Sequence, residues 1–310
     1  MKRYGIYYRI KPIVPRFVRL RARIAAARKK RKKYCDIWPI DPDCNQAPEG
    51  WIGWPGGNKF AIVLTHDVES QEGQEKAKKL ATVEKTLGFR SSFNLVPEKR
   101  YKTSYELRQW LQENDFEIGV HDLNHDGRLY NSKKIFSKRA IKINRYLKDW
   151  NAKGFRSGSM LHNLEWLGML DVEYDESTFD TDPFEPQPDG VATIFPFCVE
   201  RKNGPPFVEL PYTLPQDFTI FVLFREKTID IWKQKLDWIA QHGGMALMNV
   251  HPDYINFRDA PIKNDQYPIE YYRKFLEYCI DKYSGEYWNP LPKQVAQYLL
   301  GAKTFQKTNE

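Results

Sequence analysis

Two stretches of the sequence place titratable side chains directly after apolar residues. They are "FAIVLTHDVES", which contains Asp67 and Glu69, and "GVHDLNHDG", which contains His121 and His125. A catalytic zinc site uses two imidazole nitrogens and one carboxylate oxygen, and it keeps a further position for water. Two histidines four residues apart predict little by themselves, but a nearby strand-end carboxylate strengthens them. The combination predicts a divalent-metal site in which either Asp67 or Glu69 is the third ligand.

The spacing of these residues suggests how they could share the work. Asp67 and Glu69 would lie on one face of a continuing strand, because side chains alternate between its two faces. One carboxylate could then bind the metal while the other takes a proton from the attacking water. His121 and His125 would point the same way if the backbone turned helically after the strand. His66 would lie on the opposite face, and it either packs against a neighbouring strand or has a function of its own.

After residue 58 the chain alternates short apolar strands with helices. Strand patterns such as "KFAIVLTHD", "FEIGVHD" and "MALMNVHPD" are separated by helical patterns over residues 74–87, 132–150 and 268–283. This alternation predicts a parallel sheet built from strand–helix units, as an open sheet or a barrel. The runs "FVELP" and "FTIFVLF" are also predicted to be extended. No GxGxxG motif follows the first strand, so a dinucleotide site is not supported.

Four residues of functional type follow the carboxyl ends of separate predicted strands: Asp67, His121, Arg156 and His251. In a barrel of strand–helix units these ends converge on one face, where active sites lie. We therefore prefer the barrel. The predicted fold is α/β, a distorted and incomplete (β/α) barrel with parallel strands and a basic N-terminal arm.

The net charge of +8 belongs to the N-terminal arm. Residues 1–33 contain fourteen Lys or Arg and no acid, whereas the rest of the chain has 34 basic and 40 acidic side chains. The arm could lie as an amphipathic helix on an anionic membrane, or it could be a solvated segment. The acidic body makes nucleic acid an unexpected partner. The expected domains are an arm and connector, a catalytic domain and a tail, at residues 1–50, 51–303 and 304–310.

Composition and cysteine usage indicate the compartment. No stretch approaches the ~20 apolar residues of a membrane span, and the start of the sequence has no continuous apolar region typical of a signal peptide. The four cysteines form no CxxC pair, which fits a reducing compartment. We expect a cytoplasmic protein, or one that lies peripherally on the inner face of a membrane.

Four motifs carry a resemblance to a known family. "LTHDVE", "HDLNH", "GFRSG" and "LMNVH" occur in this order at predicted strand ends. Over residues 58–300 the sequence thereby resembles the polysaccharide deacetylase (NodB-homology) superfamily, with enzymes of the carbohydrate esterase family four type. The first motif has Glu69 in place of the family's second Asp, and the second has Asp122 in place of its Ser or Thr.

The resemblance implies a role for each motif residue. Asp67 would be the general base, Arg156 would pair with it and orient it, and His251 would be the general acid. The implied metal ligands are Glu69, His121 and His125. The expected cofactor is a divalent metal, with Zn2+ as the first choice.

The implied reaction is metal-assisted amide hydrolysis, which removes an N-acetyl group from an N-acetylated sugar or polysaccharide precursor. One alternative is a metal-dependent hydrolase of another C–N bond on the same scaffold. A second alternative is a catalytically silent binding domain that the basic arm tethers to a membrane. Release of acetate from N-acetylhexosamine compounds would distinguish the first function from the other two.

Further polar and aromatic residues have two interpretations. The loop "YDESTFDTDPFEPQPDG" is rich in carboxylates, among them Asp175, Asp180, Asp182 and Glu185. It could line a sugar cleft, but we prefer a solvated loop. Glu209 or Asp217 could tune His251 or belong to a turn. Trp166 and Trp288 are candidate platforms for stacking against a sugar.

Overall fold

The computed structural model describes residues 16–258 and 260–308. Its strands are β1 Phe60–Val68, β2 Ser91–Leu95, β3 Glu117–His121, β4 Gly154–Arg156, β5 Tyr174–Asp175, β6 Phe197–Val199, β7 Phe207–Glu209, β8 Met245–Asn249, β9 Ile255–Asn256, β10 Tyr267–Pro268 and β11 Tyr287–Trp288. Its α-helices are α1 Arg16–Lys33, α2 Gln71–Thr86, α3 Tyr105–Glu113, α4 Lys133–Asp149, α5 Leu164–Leu167, α6 Asp230–His242, α7 Ile269–Tyr283 and α8 Pro292–Thr308.

One sheet organises the described chain. Its neighbouring strands run parallel in the order β1, β2, β3, β4, β5 and β7, and β6 adds an antiparallel edge. Leu64 and Thr65 of β1 pair with both β2 and β8, so these two strands lie on opposite sides of β1. Single bridges join Leu214 to Met248 and Phe179 to Tyr212, which bring the far part of the sheet back toward β8. The sheet therefore curves into a distorted, incomplete barrel, and the fold prediction is confirmed.

Local sequence explains where the elements begin. All nine residues of β1 are buried, as expected for a parallel strand that is covered on both faces. The following helices begin at serine N-caps: Ser70, Ser104 and Ser132 each accept a hydrogen bond from a backbone N–H three residues later. Glu69 and His125, which follow β1 and β3, consequently lie in short segments between a strand and the next helical element.

One predicted strand was wrong. Residues Phe218–Leu223 of "FTIFVLF" form a π-helix instead of an extended segment. Five of its six residues are buried, and a short run that is apolar on every side does not distinguish a strand from a buried helical segment. The side chain of Asp217 caps this helix by accepting a hydrogen bond from the N–H of Phe218.

The N-terminal helix α1 lies on the body of the protein. Its residues Leu20, Ile24 and Ala27 belong to a small apolar cluster with residues of the body. The apolar side of the described helix is thus covered, and contact of its basic side with an anionic membrane stays a prediction. None of the described helices is long and apolar enough to span a membrane. The four cysteines are free thiols.

Candidate metal and hydrolytic site

Three side chains from two strand ends meet at one point of the barrel rim. Glu69 follows β1, His121 is the last residue of β3, and His125 lies in the loop after β3. One ligand atom from each residue lies within 4.8 Å of the others. The Oε1 atom of Glu69 is 3.0 Å from Nε2 of His125 and 4.0 Å from Nε2 of His121. The structure therefore brings together the three residues that the resemblance implied as metal ligands.

The two histidines approach each other without the helical turn that their spacing suggested. The loop after β3 has left-handed backbone at Asp122, with φ of 54°, and at His125, with φ of 48°. These two residues reverse the chain so that the rings of His121 and His125 lie 4.8 Å apart. Gly158 leaves room for this arrangement, because a Cβ atom there would come within 2.8 Å of the His125 ring.

The donor atoms fit a divalent cation. His121 Nδ1 lies 3.1 Å from the carbonyl oxygen of Arg156, so this nitrogen carries the proton and leaves the lone pair of Nε2 free to bind a metal. His121 Nε2 and both ring nitrogens of His125 are buried and make no hydrogen bond of acceptable geometry, although His125 Nε2 lies 3.0 Å from Glu69 Oε1. Buried polar atoms are costly when unpaired, and a cation would satisfy the nitrogens that face Glu69. Two imidazoles and a carboxylate suit Zn2+, although metal availability also decides which divalent ion such a set binds.

Asp67 lies beside this cluster as a separate carboxylate. Its Oδ1 accepts hydrogen bonds from Asn94 Nδ2 and Arg156 Nη1, both at 3.1 Å, and its Oδ2 accepts one from Asn249 Nδ2 at 2.8 Å. Burial alone would raise the pKa of Asp67, but the charge of Arg156 is foremost among the effects that outweigh burial and hold that pKa well below its usual range. Asp67 is therefore ionised at neutral pH.

The hydrogen bonds of Asp67 leave one direction open. A carboxylate has about four acceptor positions, and three donors occupy the two positions of Oδ1 and one position of Oδ2. The remaining position on Oδ2 can accept a proton. Asp67 can thus act as a base while Glu69 lies with His121 and His125 as a candidate metal ligand. This is the division of roles implied by the family resemblance.

Arg156 is fixed at the end of β4 by bonds on several sides. Its Nε donates to the backbone oxygen of Glu176 at 2.9 Å, and its Nη1 donates to Thr65 Oγ1 at 2.8 Å as well as to Asp67. Nη2 lies 3.2 Å from Oε2 of Glu176. Arg156 is fully buried, so its orientation of Asp67 does not depend on solvent.

His251, two residues after β8, is paired with Asp217. Its Nδ1 lies 2.7 Å from Asp217 Oδ1, and its backbone N–H donates to Asp217 Oδ2 at 2.9 Å. The hydroxyl of Tyr267 donates to the same Oδ2 at 3.0 Å. Burial disfavours the charged ring, but Asp217 outweighs this effect and raises the pKa of His251 to about 10. The ring is therefore protonated at neutral pH, with Nε2 directed away from Asp217.

Other candidate residues lie elsewhere or in other surroundings. His66 is enclosed by Glu84 and the carbonyl of Val250, at 2.7 and 2.9 Å, so it packs in the core. The acidic loop is not a solvated loop: Asp175, Asp180 and Asp182 are buried. Their burial is tolerated because side chains and backbone groups donate hydrogen bonds to these carboxylates. Lys235 Nζ, for example, donates to Asp180 Oδ2 at 2.6 Å.

The two candidate sugar platforms pack in different parts of the fold. Trp288 pairs with Ala61 at the beginning of β1, which is the opposite end of that strand from Asp67. Trp166 packs on Tyr130 and Phe136. The aromatic ring beside His251 is instead Tyr254, whose centroid lies 5.1 Å from the histidine ring.

Sequence reasoning missed several supporting residues of the site. Asn94 and Asn249 both bind Asp67, and Asn94 also donates to Glu176 at 3.0 Å. Their signal was a polar residue near the carboxyl end of an otherwise apolar strand, the same signal that identified Asp67. Asp253 was also missed, although its carboxylate accepts the backbone N–H of Glu69 at 3.1 Å.

Solved structures resemble this chain in fold, whereas comparisons of sequence found no match. No family model matches the sequence, and no curated protein matches it. A solved structure from Mycobacterium smegmatis, described as a polysaccharide deacetylase, has a TM-score of 0.61 at 16% identity over 83% of this chain and 96% of its own. The peptidoglycan deacetylase PdaC from Bacillus subtilis has a TM-score of 0.48 at 11% identity, over 81% of this chain and 98% of its own. A CE4 family pseudoenzyme from Bacillus anthracis has a TM-score of 0.48 at 13% identity, over 77% of this chain and 66% of its own.

The Mycobacterium smegmatis structure agrees with the resemblance that the four motifs carry. Its similarity extends over nearly all of its own chain and over most of this one, so it concerns the whole barrel rather than one local motif. At this level of identity the comparison concerns the fold alone. This chain has the fold of the polysaccharide deacetylases that its motifs resemble.

Proposed function

We propose that this protein is a metal-dependent hydrolase that removes the N-acetyl group from an N-acetylated carbohydrate. Water adds to the acetyl carbon, the bond between that carbon and the sugar nitrogen breaks, and acetate and a free amine are the products. Glu69, His121 and His125 would hold the cation. When bound, such a cation polarises the amide carbonyl and makes water more acidic.

Asp67 has the properties that a general base needs. It is ionised at neutral pH, three donors hold it in one orientation, and one acceptor position of Oδ2 is open. Its Oδ1 lies 3.9 Å from Nδ1 of His121, so Asp67 adjoins the candidate metal ligands. Asp67 would accept the proton of the attacking water, while Arg156 keeps the carboxylate aligned.

His251 has the complementary properties of a general acid. Asp217 binds its Nδ1 and keeps the ring protonated, so that Nε2–H can be given to the departing sugar amine. Without that proton the leaving group would be an amide anion, which is a poor leaving group. The base and the acid thus have environments that push their pKa values in opposite directions, a pattern typical of acid–base pairs.

The observation that carries this proposal is the Glu69, His121 and His125 cluster with an ionised Asp67 beside it. Elemental analysis of the purified protein and an acetate-release assay on N-acetylhexosamine oligomers and sugar nucleotides test it together. We expect a divalent metal in near-stoichiometric amount and acetate release. His251→Ala should keep the metal and lose activity by at least ~100-fold.

Two results would favour the other functions. Metal-dependent hydrolysis of another linear or cyclic amide, without acetate release from any sugar, would support a different C–N hydrolase on this scaffold. Bound metal without turnover over a broad panel of amides would support a binding domain that lacks catalysis.

A further inference from the structure

Helix α1 packs against the segment that begins at Asp217, the partner of His251. Its residues Leu20, Ile24 and Ala27 lie in one apolar cluster with Leu223 and Phe224 of the segment that forms the π-helix. Because these residues are three and four apart, they form one face of the helix. That packing fixes the rotation of α1 about its axis, and with it the position of Arg23 next to Phe218.

Polar contacts hold the same helix in register. Lys30 Nζ donates to the backbone oxygen of Pro183 at 2.8 Å, and Arg31 Nη1 lies 2.5 Å from Oε1 of Glu226. Pro183 and Glu226 flank the two segments that carry Glu185 and the π-helix. The docked position of α1 therefore depends on both apolar and polar contacts.

Arg23 connects α1 to the hydrolytic centre through two aromatic rings. Its guanidinium lies 4.4 Å from the ring centroid of Phe218. The Phe218 ring lies 4.9 Å from that of Tyr254, which in turn lies 5.1 Å from the ring of His251. Phe218 and Tyr254 are both half-buried, so a series of two partly accessible rings connects Arg23 to the proposed acid.

The contact of Arg23 in the described part of the chain is with an aromatic ring. Its side chain is exposed, and no salt bridge joins it to a carboxylate of the described residues. Glu185 interacts electrostatically with Arg23, but burial and Asp182 raise the pKa of Glu185 to about 8, so that this group is mostly neutral at pH 7. Helix α1 itself contains ten Lys or Arg and no acid.

We propose that Arg23 binds a phosphate group on the substrate, so that the protein acts on an N-acetylated sugar that carries a phosphate ester or diphosphate. This inference rests on the proposed deacetylase function and names its substrate class. A guanidinium binds phosphate through two parallel charged hydrogen bonds. The remaining positive charges of α1 raise the local concentration of a multiply charged anion, while the ring of Tyr254 or Phe218 offers a surface for the sugar.

The phosphate could belong to a soluble sugar nucleotide or to a sugar linked to a membrane lipid. The exposed residues Arg28, Lys29 and Lys32 lie on a different side of α1 from Arg23. A membrane-held substrate would place the anionic surface near that outer side. The chemistry at Arg23 is the same in both cases, so the substrates in the test distinguish the two sources.

The test compares Arg23→Gln with the wild type on three substrates. They are uridine diphosphate N-acetylglucosamine, N-acetylglucosamine on undecaprenyl diphosphate in phosphatidylcholine vesicles, and neutral N-acetylchitotetraose. We expect Arg23→Gln to lower kcat/KM for at least one phosphorylated substrate by about tenfold, the size of one charged hydrogen bond, and to change the neutral substrate less than about twofold. Arg23→Lys should restore part of the loss, and Arg28→Gln is the matched control that should change neither.

A binding measurement keeps this inference separate from the proposed reaction. Titration calorimetry with glucose 1-phosphate, which has no acetyl group, requires no turnover. We expect about tenfold weaker binding by Arg23→Gln than by the wild type, with glucose as the uncharged reference. Loss of this binding without acetate release from any substrate would retain the phosphate site and reject the deacetylase. Equal binding by both proteins, or an equal loss of activity on charged and neutral substrates, would overturn the role of Arg23.

Discussion

Asp67 and Glu176 bind the same guanidinium from two sides. Arg156 Nη1 donates to Asp67 at 3.1 Å, and Nη2 lies 3.2 Å from Glu176, while Asn94 Nδ2 donates to both carboxylates. Glu176 is fully buried, and burial raises its pKa to about 7. Glu176 is thus a positioning residue for the proposed base, because it acts on Asp67 only through Arg156 and Asn94.

We expect Glu176→Gln to weaken this arrangement without disturbing the metal ligands. The amide keeps the size of the side chain but removes the negative charge that holds Nη2, so Arg156 should align Asp67 less well. The expected result is a decrease in kcat of about tenfold, which corresponds to about 1.4 kcal/mol, with KM and metal content unchanged. Steady-state kinetics with metal analysis measures this, and a matching loss of metal would show that Glu176 supports the fold instead.

The Asp217 and His251 pair predicts a specific change in the pH profile. A general acid must be protonated, so kcat is lost as the pH rises through the pKa of His251, which Asp217 raises to about 10. Asp217→Asn removes the charge and should move this alkaline limb to lower pH by roughly one to three units. Asp149→Asn, at an exposed position at the end of α4, is the control. An unchanged alkaline limb in Asp217→Asn would exclude His251 as the group that titrates there.

Metal binding should depend on His121. His121→Ala removes one of three donors, and we expect the purified variant to contain little metal and to release no acetate. His242→Ala is a matched control, since His242 lies on α6, where it contacts the carbonyl oxygen and the ring of Trp238. Elemental analysis decides the outcome: a full metal content in His121→Ala removes this residue from the ligand set.

Gly158 should be needed for the position of His125. A methyl group at residue 158 would lie 2.8 Å from Cδ2 and 3.2 Å from Nε2 of that ring, so the ring must move. We expect Gly158→Ala to weaken metal binding by about tenfold or more while Tm changes little, since a shift near 1 Å is large for a coordination site. Gly301→Ala is the control, because a methyl group there meets no atom within 4 Å. Equal metal affinity in both variants would contradict this account.

Stability should fall as the pH rises from 5 to 8. Burial raises the pKa of Glu117 to about 8, while the unfolded carboxyl titrates near its ordinary value. Between these values the folded state keeps a proton that the unfolded state has lost, so a rise in pH favours unfolding by at most about 1.4 kcal/mol per pH unit from this group. Glu117→Gln removes the contribution. Urea unfolding with a chelator present should give a flatter pH dependence for the variant, and equal slopes would contradict the assignment.

The strand ends were the part of the site that could be predicted from sequence. Asp67, His121 and His251 follow apolar runs long enough to be recognised as strands, and parallel strands bring their carboxyl ends to one rim by geometry alone. The resemblance added roles to the same residues. The residue types on which the proposed acid, base and ligand roles depend are therefore visible in local patterns.

Pairing between distant segments was not fixed by those patterns, which left Glu209 and Asp217 as alternative carboxylates for tuning His251. Asp217 lies 34 residues from His251, and its pairing with that histidine depends on the π-helix that was predicted to be a strand. Glu176 and Asn94 reach Asp67 only because their strands are neighbours in the curved sheet. Burial of the acidic loop is likewise a tertiary property, since it requires partners such as Lys235.

The sequence by itself determined most of the periodic elements, the basic arm and the residue types on which the proposed hydrolase depends. Only the tertiary structure decided that Glu69 lies with the two histidines, and that Arg23 of the arm lies over the ring of Phe218. The physical reason is that periodicity depends on neighbours along the chain. A ligand set or an ion pair depends on angles and distances of a few ångströms between side chains that distant segments position.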